Sequence, residues 1–254
     1  MQERYPIKYN ENYTVNQANE LIRFKQGSMT EIESKLLRLA ISQIAKQDTD
    51  LRTYTCQLSE LADCLGIPRS NAYRALQDIG TKLLKRIIYV PKGTYDKKGN
   101  PNYYQFQWVS MIEYDNGTVT IRLHENLKPY LLELNALFTE YSMVNILSLP
   151  THSSIRLYEL LCSFQNLLVR GQYQNWTDIP LSEKEIIFDI PYLRRFYDAE
   201  NKYPNTGDFV RRLIDPSVKA INEKTTMKAS YRIIKKRKIT HVVFCLNDWS
   251  NRDE

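Results

Sequence analysis

The sequence of 254 residues predicts an α+β fold built from two units that repeat one order of elements. In each unit a long helix, a strand, a helix, a turn, a second helix and a β-hairpin follow one another. Each hairpin has lysines or arginines at its tip, and the chain is long enough for two cores of about 100–150 residues each. A helix after a turn, followed by a hairpin with a cationic tip, is the arrangement of a winged helix. The sequence therefore predicts two tandem winged-helix domains, residues 1–140 and residues 141–254.

The strongest single signal is an amphipathic helix predicted over residues 206–225. At about 100° per residue its apolar side chains, from Phe209 to Ile221, fall on one face, and the opposite face is polar and basic. Thr206 is the expected N-cap, and Asp208 in the first turn suits the positive end of the helix dipole. In a winged helix this element is the recognition helix, which lies in the major groove of DNA. The residues expected to face DNA are Thr206, Arg211, Arg212, Asp215, Lys219 and Asn222.

Two strands are predicted after this helix, at residues 231–234 and 239–246, and they enclose a turn of four cations. The turn consists of Lys235, Lys236, Arg237 and Lys238. Because no acidic residue interrupts it, the turn is predicted to be a wing that contacts phosphate. The elements that complete this unit come earlier in the chain. They are a helix at 153–169, a strand at 185–190 and a short helix that begins at Pro191 and ends at Ala199.

The first unit begins with a helix predicted over residues 30–46, where Thr30 and Glu33 have the spacing of a capping box. Ser70 is expected to cap a later helix, residues 71–86, which follows a turn and is the predicted recognition helix of this unit. Between these two helices the sequence predicts a strand at 52–57 and a helix at 58–65. Candidate DNA contacts on the second helix and just before it are Arg69, Ser70, Asn71, Arg74 and Lys85.

A first wing is predicted between strands at residues 87–92 and 103–114, with Lys97 and Lys98 in the polar loop that joins them. The second strand carries alternating aromatic residues, namely Tyr103, Tyr104, Phe106 and Trp108. Such residues could stack on unpaired bases, but aromatic residues that alternate along a strand more often pack a core, and core packing is favoured here. A strand follows at 118–123. Residues 125–150 are predicted to be a helical, apolar connection between the units.

The net charge of +6 is unevenly distributed along the chain. Residues 202–240 contain 11 Lys and Arg against 3 Asp and Glu, and residues 69–98 contain 8 against 2. Two basic segments on an otherwise acidic body indicate two surfaces for a polyanion, since neutralised phosphates and released counterions supply most non-specific affinity for nucleic acid. Charge alone is equally compatible with solvated lysine-rich faces. Together with the winged-helix pattern it makes double-stranded DNA the expected partner.

The cysteines form no C-x-x-C pair and have no histidine at metal-ligand spacing; they are Cys56, Cys64, Cys162 and Cys245. We expect them to pack in the core rather than to bind zinc or form disulfides, and we expect no cofactor. No apolar run approaches the ~20 residues of a membrane span, and residues 1–10 are polar rather than signal-like. The chain is therefore expected to be a soluble cytoplasmic protein with no membrane partner.

Motifs of DNA-processing enzymes are either missing from the sequence or have a simpler explanation. A metal-dependent nicking site needs two histidines on either side of one apolar residue, but His124, His152 and His241 are 28 or more residues apart. His152 and Arg156 resemble part of a tyrosine recombinase site, yet a surface contact at a helix start is the simpler role. The acidic residues at 48–50 lie in a predicted turn, and no phosphate-binding G-x-x-x-x-G-K-[ST] loop occurs. We therefore predict no catalytic site and no metal site.

Several segments resemble the iteron-binding family of plasmid replication initiators, the Rep proteins with tandem winged helices. The most specific match is in residues 209–225, where Phe-x-x-Arg is followed by Asp-Pro and Ile-Asn. Pro216 within an otherwise continuous helix is not expected by chance, because proline in a helix interior costs ~3 kcal/mol. The resemblance extends over residues 14–246. Other matching segments are residues 30–44, 58–84, 138–149 and 154–161.

The resemblance implies that the protein binds repeated origin sequences as a monomer and represses its own promoter as a dimer on an inverted repeat. It also implies that the protein helps to load the host replication initiator and helicase, and that residues 1–140 also serve in dimerisation. A winged-helix transcriptional repressor without an initiator role would have the same DNA-binding surface and is the alternative. A replication enzyme is opposed by the missing motifs. Residues 175–183 and 198–204 lie outside the family pattern.

Overall fold

The computed structural model describes residues 4–97, 101–132, 134 and 137–248. The chain forms two compact units, residues 1–147 and residues 148–254. Each unit contains a helix, a strand, a helix, a turn, a second helix and a hairpin in that order, which is the predicted winged-helix arrangement. The fold class expected from the sequence is therefore found in both units.

The first unit mixes short helices with strands that pair over long sequence distances. Its helices and strands are β1 (Arg4–Pro6), β2 (Thr14–Ala18), α1 (Asn19–Arg23), α2 (Glu31–Ile41), β3 (Thr53–Gln57), α3 (Leu58–Cys64), α4 (Ala72–Leu83), β4 (Ile87–Tyr95), β5 (Pro101–Gln107), β6 (Val109–Asp115), β7 (Thr118–Leu123), α5 (Lys128–Leu131), β8 (Phe138–Ser142) and α6 (Met143–Ser148). Strand β1 runs parallel to β3, which continues through β7 to β6 as an antiparallel sheet. Strands β4 and β5 form the wing hairpin, and β2 pairs with β8.

The caps of the two main helices in the first unit differ in how well the sequence predicts them. Thr30 and Glu33 form the expected capping box of α2: each side chain accepts the other residue's backbone N–H, at 3.2 and 2.8 Å. The expected cap by Ser70 is wrong. A 3₁₀ turn at Arg69–Asn71 precedes α4, so Asn71 occupies the N-cap position and no side chain caps the helix.

Two predicted elements of the first unit are corrected by long-range strand pairing. Residues 125–150 are not a continuous helix, because residues 138–142 form β8 and pair with β2, with Tyr141 opposite Val15. This pairing ties the segment to the first unit, so the division between units follows Leu147 rather than residue 140. The strand predicted at 103–114 is interrupted by the buried Trp108, and its halves, β5 and β6, belong to different sheets.

The second unit is a three-stranded antiparallel sheet with helices packed on it. Its elements are α7 (His152–Val169), β9 (Glu185–Asp189), α8 (Ile190–Phe196), α9 (Thr206–Phe209), α10 (Asp215–Lys224), β10 (Lys228–Lys235) and β11 (Ile239–Asp248). A π-helical turn at Val210–Ile214 joins α9 to α10, and we call residues 206–224 the recognition helix. Strand β11 lies between β10 and β9. The turn from β10 to β11 is the wing tip, residues 235–238.

The recognition helix begins one residue earlier than the sequence suggested. Asn205 is the N-cap, since its Oδ1 accepts the Gly207 N–H at 2.8 Å, and Thr206 is the first helical residue rather than the cap. The face predicted to be apolar is buried, as the complete burial of Phe209 and Ile214 illustrates. This face packs towards α7, whose residues from Ser154 to Ser163 are also buried.

The four cysteines carry free thiols, and the expected core packing holds for two of them. Cys56 and Cys162 are buried, and Cys64 and Cys245 are partly exposed. Burial raises the pKa of the Cys56 and Cys162 thiols to about 12, so both are protonated at neutral pH.

Candidate nucleic-acid interface

The outward face of the recognition helix carries the expected charged residues. Arg211, Arg212, Asp215 and Lys219 are all exposed. Arg211 donates to the Asp208 carboxylate at 2.6 Å, and this bond lowers the pKa of Asp208. Both partners are solvent-accessible, and exposed ion pairs are weak because water screens them, so Arg211 can exchange Asp208 for another acceptor at low cost. Arg212 forms no side-chain hydrogen bond or ion pair with the residues that the structure describes.

Two other predicted contact residues fasten the recognition helix to β10. The Tyr231 hydroxyl donates to Asp215 at 2.5 Å. The Asn222 amide accepts the Ala229 N–H and donates to the Ala229 carbonyl, both at 2.8 Å. The expectation that Asn222 faces outward is therefore wrong: the side chain is half-buried and closes the connection between helix and strand. Asp215 is exposed, but its carboxylate is committed to Tyr231.

The wing tip presents four exposed cations, as the sequence predicted. The Lys236 N–H donates to the Lys238 carbonyl at 3.2 Å and tightens the turn. None of the four side chains forms an ion pair with any part of the chain that the structure describes. The positive charge of the tip is therefore uncompensated by these residues, and the strand register shifts beside it, between Ile234 and Lys235.

Arg194 is the structural residue of this unit that the sequence analysis missed. Its guanidinium donates to the carbonyls of Lys202 and Tyr203, at 2.6 and 2.7 Å, and more weakly to that of Ala199, at 3.3 Å. The same group lies over the Phe209 ring, 5.0 Å from its centre. Arg194 thus holds the turn between α8 and the recognition helix against the helix itself.

That turn needs such support because it contains two strained residues. Asp198 and Tyr203 have φ of 52° and 54°, in the left-handed region that non-glycine residues rarely adopt. Conformations of this kind cost about 1–3 kcal/mol each and persist only where surrounding contacts enforce them. A basic residue near the end of the helix before the turn was the sequence signal, but nothing local distinguishes Arg194 from the adjacent Arg195.

The first unit repeats the arrangement with a less charged recognition helix. Arg74 is exposed on α4, Ser70 and the N-cap residue Asn71 are exposed just before the helix, and Lys85 is exposed just after it. Arg69 is paired with Asp63, and this hydrogen-bonded contact lowers the pKa of the Asp63 carboxyl. The free positive charge on this face is therefore smaller than the sequence suggests.

Helix α4 is fixed on the sheet by a close approach at Gly80. The Tyr114 hydroxyl donates to the Leu76 carbonyl at 2.6 Å, and a Cβ on Gly80 would lie only 2.1 Å from the Tyr114 oxygen. Burial raises the pKa of Tyr114 to about 12, so its hydroxyl remains a donor at neutral pH. Glycine at this position lets the Tyr114 side chain pack directly against the helix.

The wing of the first unit is the β4–β5 hairpin. Lys97 is exposed near its tip, and Lys98 lies outside the described residues. The aromatic residues of β5 differ in exposure: Tyr104 is 61% exposed beneath the Lys92 ammonium, whereas Trp108, which follows the strand, is fully buried. Core packing, the favoured expectation, therefore holds for Trp108 but not for Tyr104.

Two family models match the two units in order. One, described as "Initiator Replication protein, WH1", matches residues 14–162, and the other, "Initiator Rep protein, WH2", matches residues 189–245. The chain belongs to the family of initiator replication proteins. The first match begins in β2 and extends beyond the first unit into α7, and the second runs from the end of β9 into β11, so the chain matches both winged-helix models of the family.

Individual relatives agree with that assignment. This initiator is 26% identical over 186 residues to an uncharacterised 27.6 kDa protein of Escherichia coli, covering 71% of this chain and 69% of the relative. Its fold matches the crystal structure of the Pi initiator protein in complex with iteron DNA with a TM-score of 0.70. That match covers 94% of this chain and 100% of the other at 20% identity, and it establishes the fold.

Residues of this initiator that suggested other chemistry have structural roles. The surface contact expected for Arg156 is wrong, because its side chain is 99% buried beside Glu159 and lies 4.1 Å from the Phe196 ring centre. The same burial prevents it from acting as an accessible recombinase arginine. Asp48 pairs with Arg52 and Asp50 with Lys128. No three His, Cys, Asp or Glu side chains among the described residues are grouped as metal ligands would be. No described helix is both long enough and apolar enough to cross a bilayer.

Proposed function

We propose that this protein initiates plasmid replication by binding directly repeated origin sequences, iterons, in double-stranded DNA. One observation in the second unit carries the proposal. The recognition helix, with its exposed cationic face, is hydrogen-bonded to β10, the strand that leads to the cationic wing tip. Membership of the initiator family and the fold of the Pi protein, whose structure contains iteron DNA, support it.

The contacts divide by chemistry. Arg211 and Arg212 are positioned to donate to guanine edges in the major groove, where one bidentate contact discriminates by about 1–3 kcal/mol. Lys219 and the wing tip, residues 235–238, contact phosphates, which fix the register but carry no base information. Asp215 and Asn222 act indirectly by holding the helix on β10.

The first unit supplies a second, weaker set of contacts. Its exposed candidates are Ser70, Asn71, Arg74, Lys85 and Lys97, with Arg69 available if DNA displaces Asp63. Each recognition helix covers a few base pairs of one major groove, and two helices bound to successive grooves on one DNA face are ~10 bp apart. A monomer should then protect about 20 bp, with affinity beyond that of either unit because the second docking is intramolecular.

The test is selection of bound fragments from the parent replicon followed by footprinting. Tandem direct repeats, each protected over about 20 bp by a monomer, are the expected result. A single inverted repeat as the one selected site would overturn the initiator proposal and identify a transcriptional repressor. A 10-bp footprint from a confirmed monomer would refute joint binding by the two units.

We further propose that the protein performs no strand cleavage itself. The histidine and acidic residues that could have formed a nicking site are widely separated or committed to ion pairs. Purified protein incubated with supercoiled origin DNA and magnesium or manganese should leave it uncut. Site-specific nicking in that assay would contradict the proposal.

A further inference from the structure

A groove of about 870 Å³ lies in the second unit between α8, the turn that follows it and the base of the wing. It extends from Thr206, the first residue of the recognition helix, to Lys238, the last residue of the wing tip. Part of its lining is apolar and comes from Ile190, Pro204 and Ile239. The groove therefore touches one end of each proposed DNA-contacting element, and most of its lining residues lie outside both.

Two cations that line the groove are outside the contact set derived from the sequence. Arg195 and Lys202 are exposed, and neither side chain forms a hydrogen bond or an ion pair with the described part of the chain. With Lys238 they surround the groove with positive charge, and Glu200 is the acidic residue in its lining. Arg194 also lines the groove, but its guanidinium is used by the turn carbonyls.

Lys202 is held in place rather than carried on a loose loop. Its carbonyl accepts the Arg194 bond at 2.6 Å, its N–H donates to the Ala199 carbonyl at 3.2 Å, and the next residue, Tyr203, has the left-handed φ of 54°. The strained Tyr203 packs its ring edge-on against the buried Phe209, 6.2 Å between ring centres, whereas the turn residues at 200–202 are exposed. The turn therefore anchors Lys202 to the core while its side chain stays exposed.

A sugar–phosphate backbone has the chemistry that this groove would recognise. Its deoxyribose carbons suit an apolar lining, and its phosphates suit cations at the edge. We propose that the groove binds the backbone strand that passes from the recognition helix to the wing, with Arg195 and Lys202 as phosphate contacts. This inference rests on the proposed function, since it concerns the same duplex, and it adds a third phosphate-binding surface to the unit.

The experiment measures binding of the full chain to a labelled duplex carrying one origin repeat, and to an unrelated duplex, over a series of salt concentrations. Arg195→Ala and Lys202→Ala should each reduce the slope of log K against log salt by about 0.9, for both duplexes alike, because a phosphate contact carries no base information. Arg195→Lys should retain the slope. Arg170→Ala is the matched control, because Arg170 is an exposed arginine of the same unit outside the groove.

The inference would be overturned if the double variant Arg195→Ala/Lys202→Ala had the same salt slope as the unaltered protein. An equal reduction of the slope in Arg170→Ala would also overturn it, because the effect would then come from total charge. A reduction seen only with the origin repeat would overturn it as well, because it would indicate base contacts. Failure of the proposed function would be visible separately, as no preference of the unaltered chain for the repeat over the unrelated duplex. The slopes on either duplex would still decide whether the groove binds backbone.

Discussion

Replacing Arg194 by alanine should disrupt the second unit without removing any residue that touches DNA. The substitution deletes the bonds to the Lys202 and Tyr203 carbonyls, the weaker bond to Ala199, and the contact over Phe209. It therefore releases the turn that positions the start of the recognition helix. The residues of the recognition helix, including Arg211, are unchanged in the variant, but the start of the helix is no longer held in position.

The expected loss of stability follows from these contacts. Hydrogen bonds from charged donors contribute about 1.5–3 kcal/mol when buried, and each of the two short ones here contributes about 1 kcal/mol because the turn is partly solvated. The guanidinium over the Phe209 ring adds about 0.5–1 kcal/mol. Arg194→Ala should thus lower the free energy of unfolding of the second unit by about 3 kcal/mol. For a domain of about 100 residues this corresponds to about 12 °C in melting temperature.

Differential scanning calorimetry of the full chain provides the measurement, since each unit can give its own transition. Arg195→Ala is the control and should shift neither transition by more than about 2 °C, because its side chain has no partner among the described residues. Arg194→Lys should remain destabilised, because an ammonium cannot reproduce the guanidinium fork. The role of the Arg194 guanidinium would be refuted if Arg194→Lys melted at the same temperature as the unaltered chain. It would also be refuted if Arg194→Ala shifted the melting temperature no more than Arg195→Ala does.

Four other outcomes are expected. Alanine at all positions of the wing tip, residues 235–238, should weaken binding to any sequence and lower the salt slope by up to ~0.9 per lost contact; an unchanged slope contradicts it. Arg212→Ala should relax discrimination at one guanine by about 1–3 kcal/mol in a competition assay, and unaltered base preference would exclude base contact. Gly80→Ala should destabilise the first unit by about 1–3 kcal/mol in calorimetry, with partial recovery when Tyr114→Phe removes the clashing oxygen. Arg232 on β10 donates to the Glu185 carboxylate at 2.8 and 3.1 Å, and this bonding lowers the pKa of Glu185. The pair therefore stabilises the fold at pH above the pKa of the unfolded carboxyl, and its contribution is lost as the pH falls through the lower pKa of the folded state. The melting-temperature gap between the native chain and Glu185→Gln should accordingly close in acid, and a constant gap would refute the pairing.

The sequence predicted best the elements whose signals are local. The capping box of Thr30 and Glu33 lies within four residues, and the apolar face from Phe209 to Ile221 within one helix. The wing tip is equally local, because four consecutive cations between two strand patterns need no tertiary information. Local sequence patterns of this kind predict the folded structure correctly unless a long-range contact favours a different conformation.

Elements that depend on distant partners were predicted poorly. Residues 138–142 are compatible with a helix from their local sequence, but they pair as a strand with β2, whose residues lie 120 to 128 positions earlier. Trp108 ends a strand because its ring is buried beneath Arg38, a contact across 70 residues of sequence. Periodicity in a short window contains no information about either partner.

The candidate site shows the same limit at the level of single side chains. Helical periodicity assigned Asn222 to the outer face, but its side-chain amide is hydrogen-bonded to the backbone of Ala229. Arg194 and Arg195 are neighbours of identical chemistry, and only the folded turn separates their roles. Charge counts therefore locate a DNA-binding surface, whereas hydrogen bonding decides which cations are free to use it.

Pro216 connects the family pattern to this physical account. Proline in a continuous α-helix removes one hydrogen bond and forces its ring against the carbonyl four residues earlier. Here the Asp215 N–H donates to the Val210 carbonyl, five residues back, in a π-turn that ends just before the proline. The wider turn makes room for the ring, and Ser217 Oγ donates to the Leu213 carbonyl at 2.6 Å just beyond it. The turn also contains Arg211 and Arg212, so both exposed arginines stand on backbone that departs from α-helical geometry.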